Sequence, residues 1–507
     1  MARSANLDRR SFLRLSALVA ASGAASACLP SGRLQGQAYS RLAAQPEALS
    51  ALPPLDPAAF AVLRRLTFGP TLQERQRLAQ LGPQAWIEEQ LAPETIGDFA
   101  CELRLRALES LSLTAGELAD WSDKLFDEVD RHSVPDELAQ AALLRQLTSR
   151  RQLYERMVDF WSDHFNISTD KGECYFLKTV DDREVIRPHA LGRFGDLLQA
   201  SAHSPAMLVY LDNQANRAGS PNENYAREVL ELHTLGVDGG YTQRDVMELA
   251  RCLTGWTVKQ HFWRGQFTFR PEAHDSGPKQ VLGIPVAPGG LDEAEGVLAR
   301  LAEDPATARL VCTKLVRRFI ADPPPMDLVQ RATERLGASG GDLRQVLRLI
   351  LLDGLPRMQL RFTRPAEFVV SALRQLHARL DQPRELLPHL RRMGQPYFAW
   401  PTPDGYPDHD DAWRHNLLPR WQFALSLAQG ELPGVVVPWS AIRQWTSDQD
   451  TGATADVLSR LLLGAPLDPA AKQDLLIKIR AAGASDPEEI DRVFLAGLVA
   501  SPAFQWR

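Results

Sequence analysis

Apolar residues recur at three- and four-residue steps over most of this chain, and that period leaves the helix as the main element open to it. Segments 116–131, 135–165, 225–235, 243–256, 305–320, 342–352, 364–380 and 411–427 carry the pattern. In 243–256, for example, Val246, Leu249, Ala250 and Leu253 fall on one face. The starts are punctuated. Asp56-Pro57 and Asp304-Pro305 each place a capping carboxylate ahead of a proline at the first helical position. Thr242 and Asp245 make a short capping box, and Gly69-Pro70 stops the first helix. Strand-like alternation is scarce; 261–269 and 280–286 are expected to pair as one short hairpin, with Phe267 and Phe269 alternating with polar neighbours. No fixed period of 20–50 residues marks a solenoid. The expectation is an all-α fold: a large multi-helix globular domain over 55–507 with a minor β-hairpin. A chain of about 450 residues can bury a sizeable core, in one body or two lobes.

The N-terminus reads differently. Arg9 and Arg10 are followed by Ser11-Phe12-Leu13, then by a weakly apolar stretch from Leu15 to Ala27. That stretch is far short of the ~18 apolar residues a membrane span needs. Residues 1–27 are therefore expected to be a twin-arginine signal peptide, of the route that carries folded proteins out of the cytoplasm. Ala25-Ser26-Ala27 fits a small-residue cleavage site, while Cys28 directly after it fits a lipid-attachment cysteine; both endings stay open. Residues 28–54, rich in Gly, Ser, Ala and Gln, read as a flexible tether. The expected location is periplasmic or otherwise extracytoplasmic, with membrane attachment only through a lipid on Cys28.

The formal net charge is −6 over 507 residues with no run of Lys or Arg, which argues against a nucleic-acid partner. Cys101, Cys174, Cys252 and Cys312 have no C-x-x-C spacing and read as buried free thiols.

The candidate chemistry lies on 225–235. On an ideal helix Asn224, Arg227, Glu228 and Glu231 form one polar stripe, with Arg227 four residues from both Glu223 and Glu231. One reading is an ion-paired solvated face. The other is a site in which Glu228 and Glu231 split acid and base roles, or share a divalent metal, with Arg227 and His164 beside them. His274-Asp275 lies in a loop bounded by Pro271 and Gly277-Pro278, able to ligate the same ion; an Asx-turn explains Asp275 equally well. His164 and His233 read equally as packed, hydrogen-bonded core histidines. The 403–409 loop reads as a lid or as a rigid turn. H-E-x-x-H, G-x-S-x-G, Walker A and EF-hand patterns are all absent.

Several segments together resemble the bacterial domain of unknown function 1800 family. They are Leu63-Arg64-Arg65-Leu66-Thr67-Phe68-Gly69-Pro70, then Phe160-Trp161-Ser162-Asp163-His164-Phe165, then the run from Pro221 to Val237 with Gly240-Tyr241-Thr242 and Leu253-Thr254-Gly255-Trp256. His274-Asp275, Lys279, Leu282-Gly283, Pro403-Asp404-Gly405-Tyr406-Pro407 and Trp413 follow in order. The resemblance implies a bacterial, commonly exported protein and brings no established activity. It also implies a neighbourhood with a sulfatase-like family, the domain of unknown function 1501 family, as a partner. Two functions stay open: an exported enzyme with a buried Glu/His/Asp site that holds a divalent metal, and a non-catalytic envelope protein that binds or organises the sulfatase-like partner.

Overall fold

The computed structural model describes residues 56–124, 133–260, 264–445, 451–481 and 483–507. Arg9, Arg10, Cys28, the signal and the tether lie outside the described residues.

The fold is mostly helical, 64% helix with small antiparallel hairpins. The caps act where the sequence places them. Asp56 accepts the Ala59 N–H to open α1 (Pro57–Leu66). Residues 135–165 do not form one helix but two, α2 (Ser133–Thr148) and α3 (Gln152–His164). Side chains stitch the break: Asp98 accepts from Ser149 Oγ at 2.6 Å and the Arg150 N–H at 2.8 Å, and the Gln152 amide donates to the Gln146 and Ser149 carbonyls. These bonds satisfy backbone and side-chain groups that a continuous helix would have to leave elsewhere.

Residues 225–235 also depart from an ideal helix. α4 (Glu223–Glu228) passes into a π-helical turn, Val229–His233, closed by Thr234 Oγ1 donating to the Val229 carbonyl at 2.6 Å. One residue is thereby inserted into the turn, and the angular spacing of the polar stripe no longer holds. α5 (Gln243–Cys252) keeps the Thr242/Asp245 capping box.

The single expected hairpin is two. β1 (Trp256–Val258) pairs with β2 (Phe267–Phe269), and β3 (Lys279–Val281) pairs with β4 (Ile284–Val286). The second closes on Leu282-Gly283, with φ of +54° and +74°, the positive-φ pair that a tight two-residue hairpin demands. That turn captures 280–286 locally and leaves Phe267–Phe269 to pair back across its own tip. α6 (Leu291–Glu303) and α7 (Pro305–Phe319) follow, the latter capped by Asp304.

Buried apolar residues gather into two main cores. One is built from 62–351 around Trp161, Phe194 and Leu249; the other joins Phe68 and Leu143 to α8 (Pro365–Gln375), α9 (Leu418–Gln429) and α10 (Pro487–Ala500). A small aromatic cluster of Phe362, Tyr406 and Trp413 stands apart from both. Residues far apart in sequence close the body: Arg64 donates to the Trp506 carbonyl at 2.6 Å, and Arg361 and Arg507 exchange backbone hydrogen bonds. Cys101, Cys174, Cys252 and Cys312 are free and buried, and burial first of all pushes each thiol up to about 12. Among the described residues no helix is long and apolar enough to cross a membrane.

Candidate functional site

The expected site residues fall into two places. His274 and Asp275 belong to one. Asp275 takes a two-pronged bond from Arg251, 2.7 Å and 3.0 Å, and accepts the Gly277 N–H at 2.9 Å, the Asx-turn geometry. Its strongest cause being the Arg251 bond, the carboxyl is lowered to about 2. His274 Nδ1 lies 2.9 Å from the Thr254 carbonyl and its Nε2 lies 3.3 Å from Glu293, which also receives Lys279 at 2.6 Å. Asp275, Glu293 and Lys279 are all engaged, while His274 Nε2, though near Glu293, makes no hydrogen bond among the described residues. The loop fastens the β3–β4 hairpin between α5 and α6.

Glu228 and Glu231 lie on α4 and the π-turn that follows it, and His164, at the end of α3, meets that turn through His233. Arg227 is turned away, bonded to Glu223 at 3.1 Å and Gln243 at 2.9 Å, while Glu231 accepts from the Tyr241 hydroxyl at 3.3 Å. The expected Arg227–Glu231 pairing is thus replaced, because the π-turn shifts Glu231 off the i, i+4 position. Glu228 and Glu231 are partly buried. Desolvation, then the charge of Glu231, pushes the Glu228 carboxyl up, with Arg227 opposing and Asp404 adding to the rise.

His164 is buried in an aromatic cage of Phe160, Trp161, Phe165 and Phe194. Its Nε2 is 3.1 Å from the His233 carbonyl and its Nδ1 is 3.2 Å from Lys314 Nζ. A carbonyl only accepts and an amine here donates, so the ring is neutral with its proton on Nε2. Burial, then Lys314 and His233, holds His164 well below its ordinary value. His233 is 1% exposed and, against expectation, its Nε2 has no hydrogen-bond partner among the described residues; burial, then Lys314, lowers it to about 3. The π-turn turns this ring inward onto Phe165 and His164, centroids 5.0 Å and 6.2 Å away.

Lys314, on α7, was not singled out by the sequence. Its hydrogen bond goes to an imidazole, not a carboxylate, and burial lowers it to about 8, with Asp408, Asp163 and Asp404 opposing at longer range. Asp404 is also among the charges that raise Glu228. The available signal was compositional. The chain has 49 arginines and 8 lysines, and Lys314 sits directly before a Leu-Val-Arg-Arg run in an apolar helix.

The second group missed in the sequence is the ionic knot behind His164. Arg318, one turn after Lys314, is 1% exposed and donates to Asp159 at 2.8 Å, Asp163 at 3.0 Å and Asp408 at 2.9 Å. Arg364 adds a bond to Asp163 at 2.7 Å. Burial alone would raise Asp408, yet Arg318, Arg361 and Arg364 keep it well below the usual carboxylate range. The knot fixes the 403–409 loop, and Gly405 (φ +74°) seats its backbone on α3. Tyr406 packs between Trp400 and Trp413, its ring tilted to both. In this structure the loop is held against α3 and α7 through Asp408 and Gly405.

Residues 61–506 match the family described as protein of unknown function (DUF1800). The chain belongs to this family. No curated protein and no solved structure matches it. The family match spans both cores, the His164–Lys314 pair and the ionic knot, and it assigns no reaction to them. Glu228, Glu231, His274 and Asp275, the expected metal ligands, are divided between the two places. Among the described residues no group of three or more His, Cys, Asp and Glu is placed to hold a metal ion.

Proposed function

We propose that this member of the family is an exported enzyme that works by acid–base chemistry on groups around Lys314, His164 and Glu228. The observation that carries the reading is the Lys314 amine bonded to a neutral buried imidazole, His164 Nδ1, at 3.2 Å. An amine lowered toward neutrality and a carboxyl raised toward it are the pair that can exchange protons with a substrate near pH 7. His164 orients the amine, and its own Nε2–H is tied to the His233 carbonyl, so it stays in one tautomer. The test is a panel of chromogenic esters, phosphoesters, glycosides and amides against the full chain. Lys314→Met and Glu228→Gln should each lower the detected activity at least ~100-fold with melting temperature held. Loss of neither, or no turnover of any panel member, overturns the reading.

A second reading is favoured by one surface. On α9, Leu418, Trp421 and Leu425 are 62%, 49% and 48% exposed and follow one another at helical spacing. Such a face suits an envelope protein that docks a partner, for which the family resemblance suggests the sulfatase-like domain of unknown function 1501 family. Trp421→Asp should then abolish co-purification with that partner while leaving the fold intact. Either function rests on export. Arg9→Lys with Arg10→Lys should keep the chain in the cytoplasm, and Cys28→Ser should free it from membranes if the cysteine is lipidated.

A further inference from the structure

A cavity of about 1240 Å³ takes none of its lining from Lys314, His164 or Glu228. It opens between the helix Ala115–Lys124, the helix Cys174–Asp181 with the π-turn Asp182–Ile186 that continues it, and the β1–β2 hairpin. Close contact sets these walls. Gly265 holds φ +80°, and a Cβ there would meet the side chains of Ala115 at 2.8 Å and Leu177 at 2.9 Å, so this part of the hairpin sits directly on both helices. Leu177, Val180, Val185, Pro205 and Phe267 make the apolar part of the lining. The volume exceeds the roughly 300–1,000 Å³ of a small-molecule site and suits a peptide segment.

We propose that this cavity is a docking groove for a basic, partly apolar peptide segment of a partner. Charge decides the class of partner. Among the described residues the lining holds four carboxylates, Glu117, Asp120, Asp181 and Glu184, against a single arginine. That arginine, Arg264, is engaged by Glu173 at 2.6 Å, and His203 by Glu295 at 3.0 Å. Glu117 and Asp120 are exposed and one turn apart on the same helix. Glu117 makes its bonds to Thr114, and Asp120 has no ion pair among the described residues. Glu184 is 60% exposed and pairs with its neighbour Arg183. This rim attracts a basic segment and repels an acidic one. Asp181 lies deeper, holding the Lys178 ammonium at 2.6 Å and accepting the Ser204 hydroxyl at 2.7 Å. A second cation gains little there, because Lys178 already balances the charge. Ser204 is 2% exposed and its hydroxyl proton is spent on Asp181, so its oxygen keeps room to accept an N–H from a peptide backbone laid along the floor. Basic side chains then sit at the rim, with apolar side chains below against Val180 and Phe267.

The groove is independent of the Lys314 reading, and its test does not need turnover. Fluorescence anisotropy on the full chain uses a labelled peptide of alternating Lys and Leu as the probe. Peptides of alternating Glu and Leu, and of alternating Lys and Gly, serve as controls. The Lys–Leu peptide should bind saturably, and both controls at least tenfold more weakly. Asp120→Asn with Glu184→Gln should weaken the Lys–Leu peptide at least tenfold with unchanged melting, since both side chains are exposed. Glu272→Gln with Glu334→Gln, two exposed carboxyls outside the cavity, should leave binding unchanged. Absence of saturable binding, a Lys–Gly peptide that binds as well as Lys–Leu, a rim variant that binds like the parent, or a control variant that loses as much as the rim variant would each overturn the proposal.

Discussion

Protonating His233 in the folded chain means placing a cation among Phe165, Tyr225 and His164, where its Nε2 has no partner among the described residues. The folded value is about 3 and the unfolded one about 6.5, so the unfolded chain binds the extra proton throughout that window. Stability from this group is complete above pH 6.5 and falls as pH drops toward 3, by about 2 kcal/mol at pH 5. His233→Phe keeps an aromatic ring and removes the titration. Urea unfolding of both chains at pH 7 and pH 5 should show the parent losing more stability than the variant; equal losses would mean His233 is solvated. Lys314 titrates in another window. Its folded value near 8 lies below the unfolded value near 10.4, so stability rises with pH between them, and Lys314→Met should flatten that rise.

At the level of elements, the 403–409 loop is positioned by close backbone approach. A Cβ on Gly405 would meet the Asp163 carbonyl oxygen at 2.1 Å, and the residue holds φ +74°. Gly405→Ala should therefore cost roughly 2–4 kcal/mol, from backbone strain and displaced packing together. Gly283 has the same φ in the β3–β4 turn with open space around it, so Gly283→Ala should cost only about 1–2 kcal/mol. Parallel denaturant titrations check the difference. A similar loss in both would show that the loop does not lean on α3. The π-turn at Val229–His233 is the other decisive element, since it separates Glu231 from Arg227 and turns His233 inward.

Across the whole molecule, the ionic knot joins α3, α7, the start of α8 and the 403–409 loop, which come from distant parts of the chain. Arg318→Met would leave Asp159, Asp163 and Asp408 with too few cations in a buried place, at a cost of about 3–5 kcal/mol. Arg331→Met, which breaks an exposed pair with Asp353, should change stability by less than ~1 kcal/mol. Measured unfolding free energies of the two variants test the contrast, and a small effect at Arg318 would mean that water reaches the knot. The helical class, the capped starts at Pro57 and Pro305 and the family were legible in the residues alone, because periodicity, capping and motif order are local properties. The polar stripe was legible as residues but not as a site: an ideal helical step places Glu231 beside Arg227, and only the inserted π residue breaks that. Lys314 and Arg318 look in sequence like ordinary basic residues of an amphipathic helix. Their partners lie about 90–160 positions away, so tertiary packing alone makes one a lowered amine on His164 and the other the hub of a buried knot.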